Sequence, residues 1–217
     1  MLKEPERKEL IYNVANQDTS RRSSSRGSAL DFRNKKINTI KFKRDYRQLL
    51  GLPPEDFYMI VHGQSGHGKS YWAIQFAEYF QRNHGKVLYY AAEQRGDNLA
   101  LQNMMNEIEA TFYHEKEPRK LTVPQIIKDA NNYDLLVFDS FNEMDFSPED
   151  VRTIRQSGKA AIVGILQSTK DGQFKGNNTW LHDTDIMVRI ENRTANTDQK
   201  GRYKQAGPKT INIGVNA

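Results

Sequence analysis

From residue 57 onward, short apolar runs alternate with stretches of helical spacing. FYMIVH (57–62) is apolar throughout and too short for a helix of its own, so it predicts a strand buried on both faces. Residues 69–83 then carry Trp72, Phe76, Tyr79 and Phe80 at helical spacing and end before Gly85. KVLYYAA (86–92) predicts a second strand and DNLALQNMMNEIEA (97–110) an amphipathic helix. VPQIIKDANN (123–132) predicts another helix, with Pro124 near its start, and YDLLVFD (133–139) a third strand. SPEDVRTIRQSG (147–158) has a Ser N-cap, Pro at the first helical position and a closing Gly158. KAAIVGILQ (159–167) and TDIMVRIEN (184–192) give two more strands, and GRYKQ and TINIGV read as closing strands. Strands alternating with helices predict an α/β fold, a three-layer arrangement with a mostly parallel central sheet covered on both faces. Ligands bind such sheets at the carboxyl ends of the strands.

The segment before residue 57 follows no such rhythm. Residues 1–30, with NQDTSRRSSSRGSA, offer almost nothing to bury and predict a disordered basic arm. Residues 31–56 read as an adaptor or linker. Their partial alternation would suit an edge strand, and GLPPEDF forms a turn before the core, 57–217.

Charge sharpens that division. Residues 1–50 hold 13 basic and 6 acidic side chains, whereas the rest of the chain holds 19 and 21. The net charge of +5 therefore belongs to the first fifty residues, and such an arm either attracts phosphate backbones or is simply solvated. The chain has no cysteine, which excludes disulfides and thiolate metal sites and fits a reducing compartment. No apolar run approaches the ~18 residues of a membrane span. With no apolar signal core at the N-terminus, the expectation is a cytoplasmic protein with no membrane partner.

Every polar motif falls at a predicted strand end. Gly63-Gln64-Ser65-Gly66-His67-Gly68-Lys69-Ser70 fits the phosphate-binding loop pattern without mismatch. Glycines let backbone N–H groups wrap a phosphate, and the following helix adds the partial charge of its N-terminus. Residues 63–70 and the adjoining Tyr71 are the expected nucleotide-binding set. Lys69 would reach the β- and γ-phosphates, and the Ser70 hydroxyl would ligate Mg²⁺. Asp139 ends the LLVFDS strand, where an acid beside a phosphate loop suits the second Mg²⁺ ligand. Glu93, at the end of LYYAAEQ, is the expected base for water, with Glu143 and Asp145 as alternatives. Gln167 ends GILQ, where it could sense the γ-phosphate and pass its state to STKDGQFKGNN. Lys170 and Lys175 in that loop could track a nucleic-acid backbone, or the loop could be a surface connection. His62, His67 and His182 are not spaced as a metal site, and Trp72, Phe76 and Phe80 read as core.

Taken together, GQSGHGKS, VLYYAAEQ, LLVFDS, GILQSTKDGQFKG, WLHDTDIMVRIENR and KGRYKQAG resemble the RecA-like ATPases, most closely the RadA/Sms-type and DnaB-type branch. The likeness covers about residues 57–215. It implies ATP and Mg²⁺ as ligands, with Lys69 and Ser70 on phosphate and metal, Glu93 as base, Asp139 on Mg²⁺ and Gln167 as sensor. It further implies Lys200 and Arg202 acting in trans on a neighbour's nucleotide, and hence a homo-oligomeric ring or filament. The chain departs from RadA in having no cysteine-based zinc module and no protease-like domain after the core. The resulting expectation is an ATP-hydrolysing motor or remodeller acting on DNA, single-stranded by preference, in recombination, repair or replication. Two alternatives stand beside it: an ATP-dependent switch or loader that binds a protein partner through the arm, and a genome-packaging or mobile-element ATPase.

Overall fold

The computed structural model describes residues 27–93, 98–115, 118–144, 146–168, 180, 183–197 and 210–212. Its contacts divide the chain into two units, Met1–Ile37 and Asn38–Ala217. In the first, helix α1 (Ala29–Asn34) starts at a capping box made by Ser28 and Asp31 and buries none of its residues.

The second unit begins with α2 (Arg44–Leu50). Residues 38–56, read from the sequence as adaptor or linker, place Ile40, Phe42, Tyr46, Leu49 and Leu50 in the same apolar cluster as the sheet. The edge strand considered there is not formed. Beyond an isolated bridge between Thr39 and Pro54, the segment is helical at 44–50. Its apolar residues are spaced to face a neighbouring helix as readily as a sheet.

The sheet contains β1 (Tyr58–Gly63), β2 (Val87–Ala91), β3 (Tyr113–Glu115), β4 (Leu135–Asp139), β5 (Ala161–Gln167), β6 (Ile186–Glu191), β7 (Thr194–Thr197) and β8 (Thr210–Asn212). Their spatial order is β3-β2-β4-β5-β1-β6-β7-β8. The pairs from β3 to β6 are parallel, and β7 and β8 add antiparallel pairs at one edge. The sequence reading missed β3 and β7 because YHE and TANT are too short and too polar to show a period. GRYKQ, expected as a strand, lies outside the described residues.

Helices α3 (Lys69–Asn83), α4 (Leu99–Ile108), α5 (Val123–Asn132) and α6 (Pro148–Ser157) cover the two faces. Successive strand residues point to opposite sides. Met59, Val61, Tyr89, Val137 and Val163 join α2, α3 and Leu101 of α4 in one cluster. Tyr58, Ile60, Tyr90, Phe138 and Ile162 join α5 and α6 in the other. Trp72, Phe76 and Phe80 are fully buried, and the Trp72 and Phe76 rings stack at 5.3 Å. Among the described residues, no helix is long and apolar enough to cross a membrane.

One glycine sets the height of the segment leaving β4. A Cβ on Gly164 of β5 would fall 1.7 Å from the Phe141 ring, which lies flat on the strand there. Gly164→Ala must therefore displace Phe141. It is expected to cost about 1–3 kcal/mol by overpacking, read as a lower denaturant midpoint at unchanged slope.

Candidate active site

The strand order places the carboxyl ends of β2, β4, β5 and β1 side by side. Gly63 pairs with Gln167 across β1 and β5, and Ala91 pairs with Asp139 across β2 and β4. The sequence motifs thus share one crest of the sheet.

Gly66 and Gly68 have φ of 79° and 97°, left-handed values open to glycine at little cost. Gly68 caps α3 without a side-chain hydrogen bond, so the N–H groups of the first turn are left for an anion. Lys69 is nearly buried, and its Nζ donates to the Gln64 carbonyl at 2.9 Å. The hairpin between β6 and β7 braces the loop from the side. Its turn residues, Asn192 and Arg193, both have positive φ, as a two-residue hairpin turn requires. The Arg193 N–H donates to the His67 carbonyl at 3.2 Å, and the Asn192 N–H approaches His67 Nδ1 at 3.4 Å. A Cβ on Gly63 would lie 2.2 Å from the Ile190 carbonyl oxygen.

Beside the loop is a cavity of about 460 Å³ lined by Ser65, Gly66, Gly68, Lys69, Ser70, Tyr71, Glu93, Met104, Glu107 and Arg193. That volume is in the range of small-molecule sites. The Tyr71 hydroxyl donates to Glu107 at 2.9 Å, tying α3 to α4 at the cavity wall.

Glu93 follows β2 and is exposed. Its N–H donates to the Asp139 carbonyl at 2.8 Å, and its Oε1 accepts from Gln167 Nε2 at 2.8 Å. The expected base and the expected sensor are therefore in direct contact. The Gln167 N–H donates to Asn142 Oδ1 at 3.2 Å, fixing the end of β5 to the turn after β4.

Asp139 is fully buried. Tyr89 donates to its Oδ2 at 2.7 Å, while Oδ1 has no hydrogen-bond partner. Burial pushes this carboxyl above its ordinary range. Hydrogen bonding from Tyr89 and Ser70 pulls it back down, the Glu93 charge pushes it up, and the Lys69 charge pulls it down. A buried carboxylate oxygen with no donor is a costly arrangement unless a cation completes it. Together with the Ser70 hydroxyl it fits a divalent ion whose other ligands are phosphate oxygens and water. No group of three or more His, Cys, Asp or Glu among the described residues offers another metal site. Asp183 and Asp185 instead pair with Arg152 and Arg155, both at 2.9 Å.

The structure thus brings Lys69, Ser70, Glu93, Asp139 and Gln167 together at one crest. Glu143, the alternative base, is engaged by Arg119 at 2.9 Å and is not part of the cavity wall. Asp145, Lys170, Lys175, His182, Lys200 and Arg202 lie outside the described residues. Sequence reasoning passed over Arg193, Tyr89, Glu107 and Arg119. The turn pair Asn192-Arg193 after a strand pattern was the only available signal for Arg193. The others reach the site through pairings far apart in the chain.

No family model matches the chain, and no curated protein matches it in sequence. Solved structures do match in shape. The KaiC-like protein PH0186 from Pyrococcus horikoshii OT3 has a TM-score of 0.60 at 14% identity, over 83% of this chain and 97% of that one. The flagellar accessory protein FlaH from Methanocaldococcus jannaschii has a TM-score of 0.54 at 13% identity, over 81% and 99%. A DnaB-type ATPase domain has a TM-score of 0.54 at 10% identity, over 72% and 80%. All three are RecA-like P-loop ATPases, and at such identities the likeness is one of fold. The chain has the RecA-like P-loop fold.

Proposed function

We propose that the protein hydrolyses ATP at the crest of β1, β2, β4 and β5, and that it uses the hydrolysis as a DNA-acting motor or remodeller. The observation that carries the first half is the convergence of Lys69, Ser70 and Glu93 on one cavity, beside a buried Asp139 with an unpartnered oxygen. Loop N–H groups and Lys69 bind the β- and γ-phosphates. Glu93 takes a proton from a water aligned on the γ-phosphorus, and the bond from that phosphorus to the bridging oxygen breaks, leaving ADP and phosphate. Mg²⁺ held by Ser70 and Asp139 would supply positive charge to the phosphate oxygens. Gln167, hydrogen-bonded to Glu93, reports the presence of the γ-phosphate to the chain that follows it.

The second half rests on the basic surplus of residues 1–50 and on Lys170 and Lys175 in the loop after Gln167. Lys200 and Arg202 complete a neighbour's site in a ring or filament, as the RecA-like resemblance implies. The fold does not choose the substrate of the motor. Phosphate release measured with and without single-stranded DNA, paired with solution mass in the presence of an ATP analogue, tests it. Stimulation by DNA and assembly are expected. A fully active monomer indifferent to DNA would exclude both the motor and the trans cations.

Glu93→Gln keeps the shape and removes the base. It is expected to lower kcat by about 10²-fold or more, with nucleotide affinity retained. Rapid-quench phosphate release and fluorescent-nucleotide titration separate the two effects.

A further inference from the structure

Two carboxylates compete for the role of base at the crest, Glu93 after β2 and Glu143 in the short turn Phe141–Glu143 after β4. We infer that Arg119 is a positioning residue that decides between them. It lies in the 3₁₀ turn Pro118–Lys120 that leads toward α5. Its Nε and Nη2 both donate to the Ala92 carbonyl, at 2.8 and 2.5 Å, and the same Nη2 sits 2.9 Å from Glu143 Oε2. One guanidinium thereby fixes the peptide unit that leads into Glu93 and engages the rival carboxylate.

The remaining restraints on Glu93 come from other strands. Its N–H is held by the Asp139 carbonyl, and its carboxylate is held by Gln167. Without Arg119, the Ala92–Glu93 peptide has no tether on its carbonyl side, and Glu143 has no cation. Both changes move negative charge relative to the cavity. Arg119 does not line the cavity itself, so it acts through Glu93 rather than on nucleotide. Its fork geometry matters: a planar guanidinium can hold a carbonyl and a carboxylate at once, whereas an ammonium is a single point charge. The side chain is 56% exposed, so its removal leaves no buried hole.

The inference rests on Glu93 being the base, and the test separates the two. Steady-state ATP hydrolysis is measured for Arg119→Ala, Arg119→Lys, Glu93→Gln and the Arg119→Ala/Glu93→Gln double variant. A base displaced by about 1 Å costs up to about 10²-fold, so Arg119→Ala is expected to lower kcat by about 10- to 100-fold. KM for ATP and the affinity for a fluorescent non-hydrolysable analogue should stay within about twofold. Arg119→Lys should recover part of the rate. In the Glu93→Gln background, adding Arg119→Ala should cost nothing further.

An unchanged kcat in Arg119→Ala, with Glu93→Gln inactive, would overturn the inference and leave the base intact. An equal loss in both backgrounds would also overturn it, because Arg119 would then act on something other than Glu93. Full activity in Glu93→Gln would remove the base and the inference together. If Arg119→Ala does not fold, the same non-additivity is required of Arg119→Lys.

Discussion

Lys69→Ala is expected to lower kcat for ATP hydrolysis by about 10³-fold, the order seen when one preorganised donor to a developing charge is deleted. The lysine is 7% exposed and folded back onto its own loop, with Nζ on the Gln64 carbonyl. That contact holds the ammonium at the cavity mouth before any phosphate arrives, so little reorganisation is needed when one does. Alanine removes the donor to both the carbonyl and the phosphates. The carbonyl loss should cost stability by about 1 kcal/mol, a shift of a few degrees in Tm, which thermal melting can follow independently of rate. Phosphate release at saturating ATP reads the main effect. A variant hydrolysing at the parent rate would remove Lys69 from the site.

Asp139→Asn is expected to move rate and stability in opposite directions. The folded-state pKa of Asp139 is raised, with burial as the largest cause. A raised carboxyl pKa means that the folded protein binds this proton more tightly than the unfolded chain. Stability is therefore lost as pH rises from the ordinary carboxylate range through the raised value, and the loss persists above it. Asparagine is neutral and can still accept from Tyr89. The metal-free variant should then melt higher than the parent at pH 7 by a few degrees, with the gap closing toward pH 4. Its kcat should fall by about 10²–10³-fold, because the anionic metal ligand is gone. Calorimetry across pH and phosphate-release assays check the two arms. A variant less stable than the parent at pH 7 would show that the buried charge is already compensated.

Much of the architecture was legible in the sequence because it is local. The five apolar strands 58–63, 87–91, 135–139, 161–167 and 186–191, and the caps at Ser147, Pro148 and Gly158, are written in consecutive residues. So is the phosphate loop, whose glycines and lysine are constrained by the geometry of one turn. Strand ends were legible for the same reason, and strand ends are where Glu93, Asp139 and Gln167 sit. What escaped is pairing over distance. Tyr89 reaches Asp139 across fifty positions, and Gln167 reaches Glu93 across seventy-four. The role of 38–56 also escaped, because Phe42 and Tyr46 are buried only by rings from α3. Periodicity reports the face of an element and not what will cover it.

The hairpin that leans on the phosphate loop has a consequence for how such a chain drifts over evolutionary time. Its grip on the loop is largely main-chain: the Arg193 N–H on the His67 carbonyl, and the Ile190 carbonyl where a Gly63 side chain would be. Main-chain atoms are the same whatever residues carry them. Substitutions along β6 and β7 can therefore accumulate without loosening the loop, provided that the turn stays two residues long and Gly63 stays glycine. A scaffold held this way keeps its shape while its letters are replaced, which is the pattern seen in structural neighbours that share its outline at 10–14% identity.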